Sequence, residues 1–267
     1  MRGRFGTSAR GVALLSGAAL LVALAVSSSA EAVTVESEEK LIASDGAAGD
    51  VFGQSVAISG DRVVVGAPQD DDLGVESGSV SVLESDGSGD WSETKLMAPD
   101  GSEFDRFGFS VAVSGDRVVV GAPFDGDLSS ASGSAYVFEP DGSGGWSETK
   151  LTAFDGAATD LFGWSVGVSG DRVVVGARRA GDVGAVYVFE PDGSGGWSQA
   201  KLTALDGAAG DLFGWSVGVS GDRVVVGALQ HDDLGADSGS AYVFEPDGAG
   251  DWSETKLTAS DGAANDQ

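Results

Sequence analysis

Short apolar segments of different pattern follow one another through most of the chain. Segments such as WSVGVS (164–169) switch between apolar and small or polar residues with a period of two, as a strand with one well-covered face does. RVVVGA, at 62–67, 117–122, 172–177 and 223–228, is an unbroken apolar run and predicts a strand covered on both faces. Each is followed by two more strand-like segments, SAYVFEP and WSETKLTA or their variants, rich in Val, Tyr, Phe, Trp and Thr. The order is A, B, C, D, with Gly and Asp between segments and no sustained helical period after residue 32. SGDR joins A to B as a tight hairpin, because Gly accepts positive φ and Asp tolerates a turn. Pro140, Pro191 and Pro246 end strand C, since proline cannot donate to a central ladder. Strand B needs apolar neighbours on both faces, and stacking four-stranded antiparallel sheets around an axis supplies them. The expected fold is therefore an all-β β-propeller.

The unit recurs in register. Phe52-Gly53, Phe107-Gly108, Phe162-Gly163 and Phe213-Gly214 open the repeats, and Gly66-Ala67, Gly121-Ala122, Gly176-Ala177 and Gly227-Ala228 follow at a constant offset. Segments 155–177 and 206–228 differ only at Thr159 and Gly210, which points to recent duplication. The expected organisation is a leader at 1–32, a lead-in at 33–51, and repeats at 52–106, 107–161, 162–212 (with a shortened loop) and 213–267.

Phe-Gly followed about a dozen residues later by Gly-Ala-Pro resembles the FG-GAP repeat of the integrin α-subunit propeller and its bacterial and archaeal relatives. Repeats 1 and 2 carry the whole motif, with Pro68 and Pro123, whereas repeats 3 and 4 have Arg178 and Leu229 there. The resemblance covers about residues 40–267. It implies a binding or adhesion role, with ligand on the face formed by the B–C and D–A connections. D-like segments number five, because EEKLIA (38–43) precedes the first repeat. As an extra N-terminal outer strand, it would complete a blade whose other strands lie beyond Gln267, so an incomplete ring is expected. The rival is a four-bladed ring with a spare strand.

The first residues have the grammar of a secretory signal. Arg2, Arg4 and Arg10 precede an apolar stretch from Gly11 to Val26, and small residues at Ala30 and Ala32 place cleavage after Ala32. A secreted or cell-surface location follows, without membrane insertion after cleavage; an uncleaved anchor is the alternative. The net charge is −27, and loss of residues 1–32 makes it −29, which excludes nucleic acid as a partner. Dense carboxylates suit either high-salt solvation or a cation-binding surface. No cysteine is present, so neither disulfides nor thiol chemistry is available.

Chemistry of the catalytic kind finds little footing. His231 is the sole histidine and lies in a Gly/Asp loop, while Tyr136, Tyr187 and Tyr242 recur at one position and read as core. Trp91, Trp146, Trp197 and Trp252 also recur and read as packing, with sugar stacking as the alternative. No cofactor is expected, and the protein reads as a non-enzyme that binds an extracellular protein or glycan. The alternatives are a non-catalytic module of a larger extracellular hydrolase and a purely structural surface component.

Calcium-binding FG-GAP units carry an Asp-rich loop between Phe-Gly and Gly-Ala-Pro. Here that place holds only SGDR, with one carboxylate each (Asp61, Asp116, Asp171, Asp222), which cannot supply six oxygens. The acidic residues lie between B and C instead. Asp70, Asp72, Asp125, Asp127, Asp232 and Asp233 are candidate calcium ligands there, with Asx turns as the plainer reading. The D–A links add Asp45/Asp50, Asp100/Asp105, Asp155/Asp160 and Asp206/Asp211 at the same end of the sheets. Arg178-Arg179, in the shortened loop, is expected to pair with neighbouring carboxylates or to receive an anion.

Overall fold

A computed structural model describes residues 39–265 of the chain; the signal segment and the cleavage point after Ala32 lie outside the described residues. Residues from Leu41 onward form one compact unit. It holds four antiparallel sheets of four strands, each with its strands in chain order. Blade 1 comprises β1 (Ser55–Ser59), β2 (Arg62–Ala67), β3 (Ser79–Ser85) and β4 (Trp91–Leu96). Blade 2 comprises β5 (Ser110–Ser114), β6 (Arg117–Ala122), β7 (Ser134–Pro140) and β8 (Trp146–Leu151). Blade 3 comprises β9 (Phe162–Ser169), β10 (Arg172–Ala177), β11 (Ala185–Pro191) and β12 (Trp197–Leu202). Blade 4 comprises β13 (Phe213–Ser220), β14 (Arg223–Ala228), β15 (Ser240–Pro246) and β16 (Trp252–Leu257).

RVVVGA forms strand B in every blade, and Pro140, Pro191 and Pro246 are the last residues of their strands. Gly170 takes φ 57° in the hairpin of blade 3, a conformation open to glycine at no steric cost. The innermost strands neighbour one another in sequence order, β1 beside β5, β5 beside β9 and β9 beside β13. Blade-on-blade stacking therefore covers both faces of the inner sheets. Val118, Val119 and Val120 of blade 2 and Val173, Val174 and Val175 of blade 3 are fully buried.

Two locks hold each blade to the next. In the first, Phe107, Phe162 and Phe213 are fully buried and donate their backbone N–H groups to the Ser77, Ser132 and Val183 carbonyls of the preceding blade, all at 2.9 Å. The glycine after each Phe then presses its carbonyl onto the Gly-Ala of that blade. A Cβ on Gly66, Gly121 or Gly176 would lie 2.1, 2.0 or 2.3 Å from the carbonyl oxygen of Gly108, Gly163 or Gly214. Ser55, Ser110 and Ser165 donate to the same carbonyls at 2.8, 2.9 and 2.9 Å. The two halves of the sequence motif thus meet across the blade interface.

The second lock is made by SGDR. Arg117 donates to the Gly170 carbonyl at 2.6 Å and to Asp171 at 3.0 Å, and its guanidinium lies over the Trp197 ring of blade 3. The serine of each hairpin accepts the N–H of the next hairpin's glycine, as Ser114 does from Gly170 at 3.1 Å. Arg62 and Arg172 repeat the arrangement.

The outer faces of blades 1 and 4 lack these partners. A Cβ on Gly227 would meet only Ser216 of its own blade, and Val56 and Ile58 are 67% and 71% exposed. The four blades form an incomplete ring. The extra N-terminal outer strand differs from expectation, for residues 39–43 carry no strand. The outer position of blade 4 is already filled by β16, paired along its length with β15. In the shortened loop of blade 3, Ala180–Asp182 makes a single 3-10 turn. No described helix is long and apolar enough to cross a membrane.

Candidate functional site

The B–C loops and D–A links emerge at one end of the blades, and in blades 1, 2 and 4 a lysine on strand D joins them. Lys95 bonds Asp45 of the link at 2.7 Å and Asp70 and Asp72 of the loop at 2.7 and 2.5 Å. Lys150 bonds Asp100 at 2.6 Å, Asp125 at 2.8 Å and also Asp127. Lys256 bonds Asp206 at 2.7 Å and also Asp233, with His231 Nε2 at 3.2 Å. Lys201 meets Asp155 alone, at 2.6 Å, because the shortened loop brings no carboxylate to it. Of the candidate metal ligands, Asp70, Asp72, Asp125, Asp127 and Asp233 converge on these ammonium groups. Asp232 lies apart and accepts the Asp237 N–H at 2.8 Å in its own turn.

The buried tyrosines complete the clusters. Tyr136 donates to Asp100 and Asp125 at 2.9 and 2.8 Å, and Tyr187 and Tyr242 donate to Asp155 and Asp206 at 2.7 and 3.0 Å. Blade 1 has Ser81 at this position, and there Ser79 donates to Asp70 at 2.7 Å. Burial alone would raise the Asp100 carboxyl, yet the Lys150 and Tyr136 hydrogen bonds outweigh it and hold the group below the usual carboxylate range. Burial likewise opposes the Lys150 charge, and the three carboxylates overcome it and push its pKa up. The two partners shift in the directions of a mutually stabilised ion cluster.

Asp206, His231 and Asp233 each offer a ligand atom within 4.8 Å of the others, the geometry a divalent ion would use. The Lys256 ammonium bonds the carboxylates of that same group. The lysines were not recognisable as functional from strand pattern alone. Their signal was a cation at constant repeat position beside two recurring sets of aspartates.

The second aspartate of each link has a different task. Asp105, Asp160 and Asp211 are buried and accept the N–H of Ser102, Ala157 and Ala208 at 2.7, 2.8 and 2.7 Å, closing Asx-type turns. Burial, with the Asp125 charge adding to it and the Ser102 N–H opposing it, pushes the Asp105 carboxyl up to about 6.

Large exposed apolar side chains gather at this same end. Leu73, Leu128 and Leu234 of the B–C loops and Phe104, Phe154 and Leu205 of the D–A links are exposed, Phe154 by 70% and Leu205 by 88%. Among the described residues, none of the exposed large apolar side chains lies in the A–B hairpins or C–D turns of the other end.

Of the two roles expected of Arg178, pairing with neighbouring carboxylates is not seen among the described residues; the guanidinium stacks over Trp164, 3.7 Å from the ring centre, with Trp215 at 5.0 Å. In blade 3 the residue after Gly-Ala therefore meets the rings that follow Phe-Gly. Phe109, Trp164 and Trp215 form a track of rings, one in each of blades 2, 3 and 4, with centres 4.6 and 5.2 Å apart; blade 1 has Gln54 there.

A sequence model described as FG-GAP repeat matches residues 35–83, 91–138, 146–189 and 197–244, more than half the chain. No curated protein sequence matches it. Among solved structures, a computationally designed protein, Ika4, is 20% identical over 78% of this chain and 99% of its own, with a TM-score of 0.44. PorZ, described as an essential surface component of the type-IX secretion system of Porphyromonas gingivalis, is 14% identical over 78% of this chain, with a TM-score of 0.41. The matched region spans 21% of PorZ. Both likenesses are too distant to carry functional argument.

Proposed function

Because the chain belongs to the FG-GAP repeat family, we propose that it is a secreted or cell-surface, non-catalytic module that binds an extracellular protein or glycan through the face made by the B–C loops and D–A links. One observation carries this reading: six large exposed apolar side chains, Leu73, Leu128, Leu234, Phe104, Phe154 and Leu205, sit in those loops and links. Exposed apolar groups rimmed by polar residues mark interaction surfaces. The repeated titratable groups of that face are engaged with one another in lysine–carboxylate clusters, which serves rigidity rather than turnover.

The test is binding of the full chain to arrays of extracellular proteins and glycans, repeated with Phe154→Ser/Leu205→Ser and with Ser143→Ala/Ser194→Ala in the C–D turns at the other end. The reading expects at least one binder that the first variant loses and the second keeps. Arrays without binders, or binders indifferent to the loop substitutions, would overturn it.

A further inference from the structure

The chain has few cations, and among the described residues most of those from Arg62 onward have a carboxylate partner. From Arg62 onward nine lysines and arginines form ion pairs, at Arg62, Lys95, Arg106, Arg117, Lys150, Arg172, Lys201, Arg223 and Lys256. The two that form none are adjacent, Arg178 and Arg179. In a protein of net charge −27 this is a specific exception. Among the described residues the Arg178 guanidinium has no acceptor, and its Nε is buried without one. Burial, and then the Arg179 charge, press its pKa downward, as expected of a cation lacking a counter-ion. Aromatic stacking compensates only part of that loss, since it supplies no hydrogen-bond acceptor.

We propose that Arg178, with the Phe109–Trp164–Trp215 ring track, forms a site for the carboxylate of an acidic sugar chain. The proposal rests on the binding role of the loop face and names a ligand class for it. Arg178 follows Ala177 at the end of β10, and Trp164 and Trp215 lie near the starts of β9 and β13, so the site sits at the B–C and D–A end. A guanidinium presents paired N–H groups that match a carboxylate. Beside it the three rings, tilted 45° and 49° to one another, give apolar surface for the C–H faces of sugar rings, and their succession through blades 2, 3 and 4 suits a linear chain of such rings. Arg179, exposed and unpaired, adds a second positive charge at the rim. The acidic surroundings select against densely charged polyanions such as nucleic acids and leave room for a ligand carrying one carboxylate per ring.

The test is titration of the full chain with a short oligogalacturonate, followed by tryptophan fluorescence and calorimetry. The same oligosaccharide with its carboxyl groups reduced to alcohols, and inorganic sulfate, are the comparison ligands. The oligogalacturonate is expected to change the emission of Trp164 and Trp215 and to bind at least about tenfold more tightly than the reduced form, the value of one charged hydrogen-bonded contact. Arg178→Met should remove that preference and Arg178→Lys keep part of it. The comparison of the two sugars on unaltered protein decides the matter even where Arg178→Met fails to fold. Equal binding of both sugars, binding of neither, or preference for sulfate overturns the site. The array result at Phe154 and Leu205 would then still stand or fall by itself.

Discussion

Replacing Lys150 with Met tests whether an internal ammonium organises the acidic loops. The substitution removes one charge from a cluster in which Asp125 is almost wholly buried and Asp100 and Asp127 are about half exposed. Leaving a buried carboxylate without its cation costs about 3–5 kcal/mol, while each half-exposed pair contributes about 0–1 kcal/mol. Asp125 keeps the Tyr136 hydroxyl and the Asp127 N–H at 2.8 and 3.0 Å, which limits the damage. The expected loss at pH 7 is therefore about 2–4 kcal/mol, or about 5–15 °C in Tm for a chain of this size. The loss has a pH signature. In the unaltered protein the Asp100 carboxyl titrates below its unfolded value, so its stabilisation is present above pH 3.8 and fades as pH falls through the folded pKa. In the variant the crowded carboxylates repel, and acidification relieves them, so the gap between the two proteins narrows below about pH 4. The three orphaned carboxylates should also acquire calcium sensitivity, with about 2.7 kcal/mol returned at a hundredfold excess over Kd. Lys201→Met, which frees only Asp155, should cost about 1 kcal/mol and gain no calcium response. Thermal melts across pH, with and without calcium, give the readout. A Lys150→Met melting point within about 2 °C of the unaltered protein, or an equal calcium shift in both, would refute the reasoning.

Two further substitutions probe other layers. Gly121→Ala would set a Cβ 2.0 Å from the Gly163 carbonyl oxygen and should cost at least about 3 kcal/mol in urea unfolding. Gly227→Ala, whose nearest neighbours all belong to Ser216 of its own blade, should cost less than about 1 kcal/mol, and equal costs would refute the blade-contact explanation. Asp105→Asn keeps an acceptor for the Ser102 N–H and removes a buried charge. The Asp105 carboxyl sits near 6 when folded against 3.8 for the ordinary group, so it favours folding below pH 3.8 and that advantage is lost as pH rises through 6. The variant should be more stable than the unaltered protein at pH 7, by no more than about 3 kcal/mol, with the gain vanishing near pH 4; a gain that persists there would point elsewhere.

The strands were legible because their signals are local. RVVVGA sets the limits of all four B strands. The lysine clusters were harder, since their partners are separated in sequence: Lys150 meets Asp127 across 23 residues and Asp100 across 50. Each set recurs in register, yet only strand pairing brings link, loop and strand D together. Arg178 misled for a related reason. Acidic residues are plentiful nearby in sequence, but the side chain that follows β10 meets rings and not carboxylates. Residues 39–43 carry the composition of an outer strand but form none, and pattern alone does not reveal whether a strand pairs.

The hairpin lock also determines how the array should come apart. Each of the three blade interfaces uses the same contacts, so the array behaves as a chain of nearest-neighbour couplings rather than as one shared core. Blades 2 and 3 are gripped on both sides, while blades 1 and 4 are gripped on one. Arg223 shows the difference, with its side chain 63% exposed against 12% for Arg117 and Arg172. Backbone amides of β6 and β10 should therefore exchange last. Opening should begin with blades 1 and 4 peeling away singly, leaving the inner pair as the most persistent folded unit.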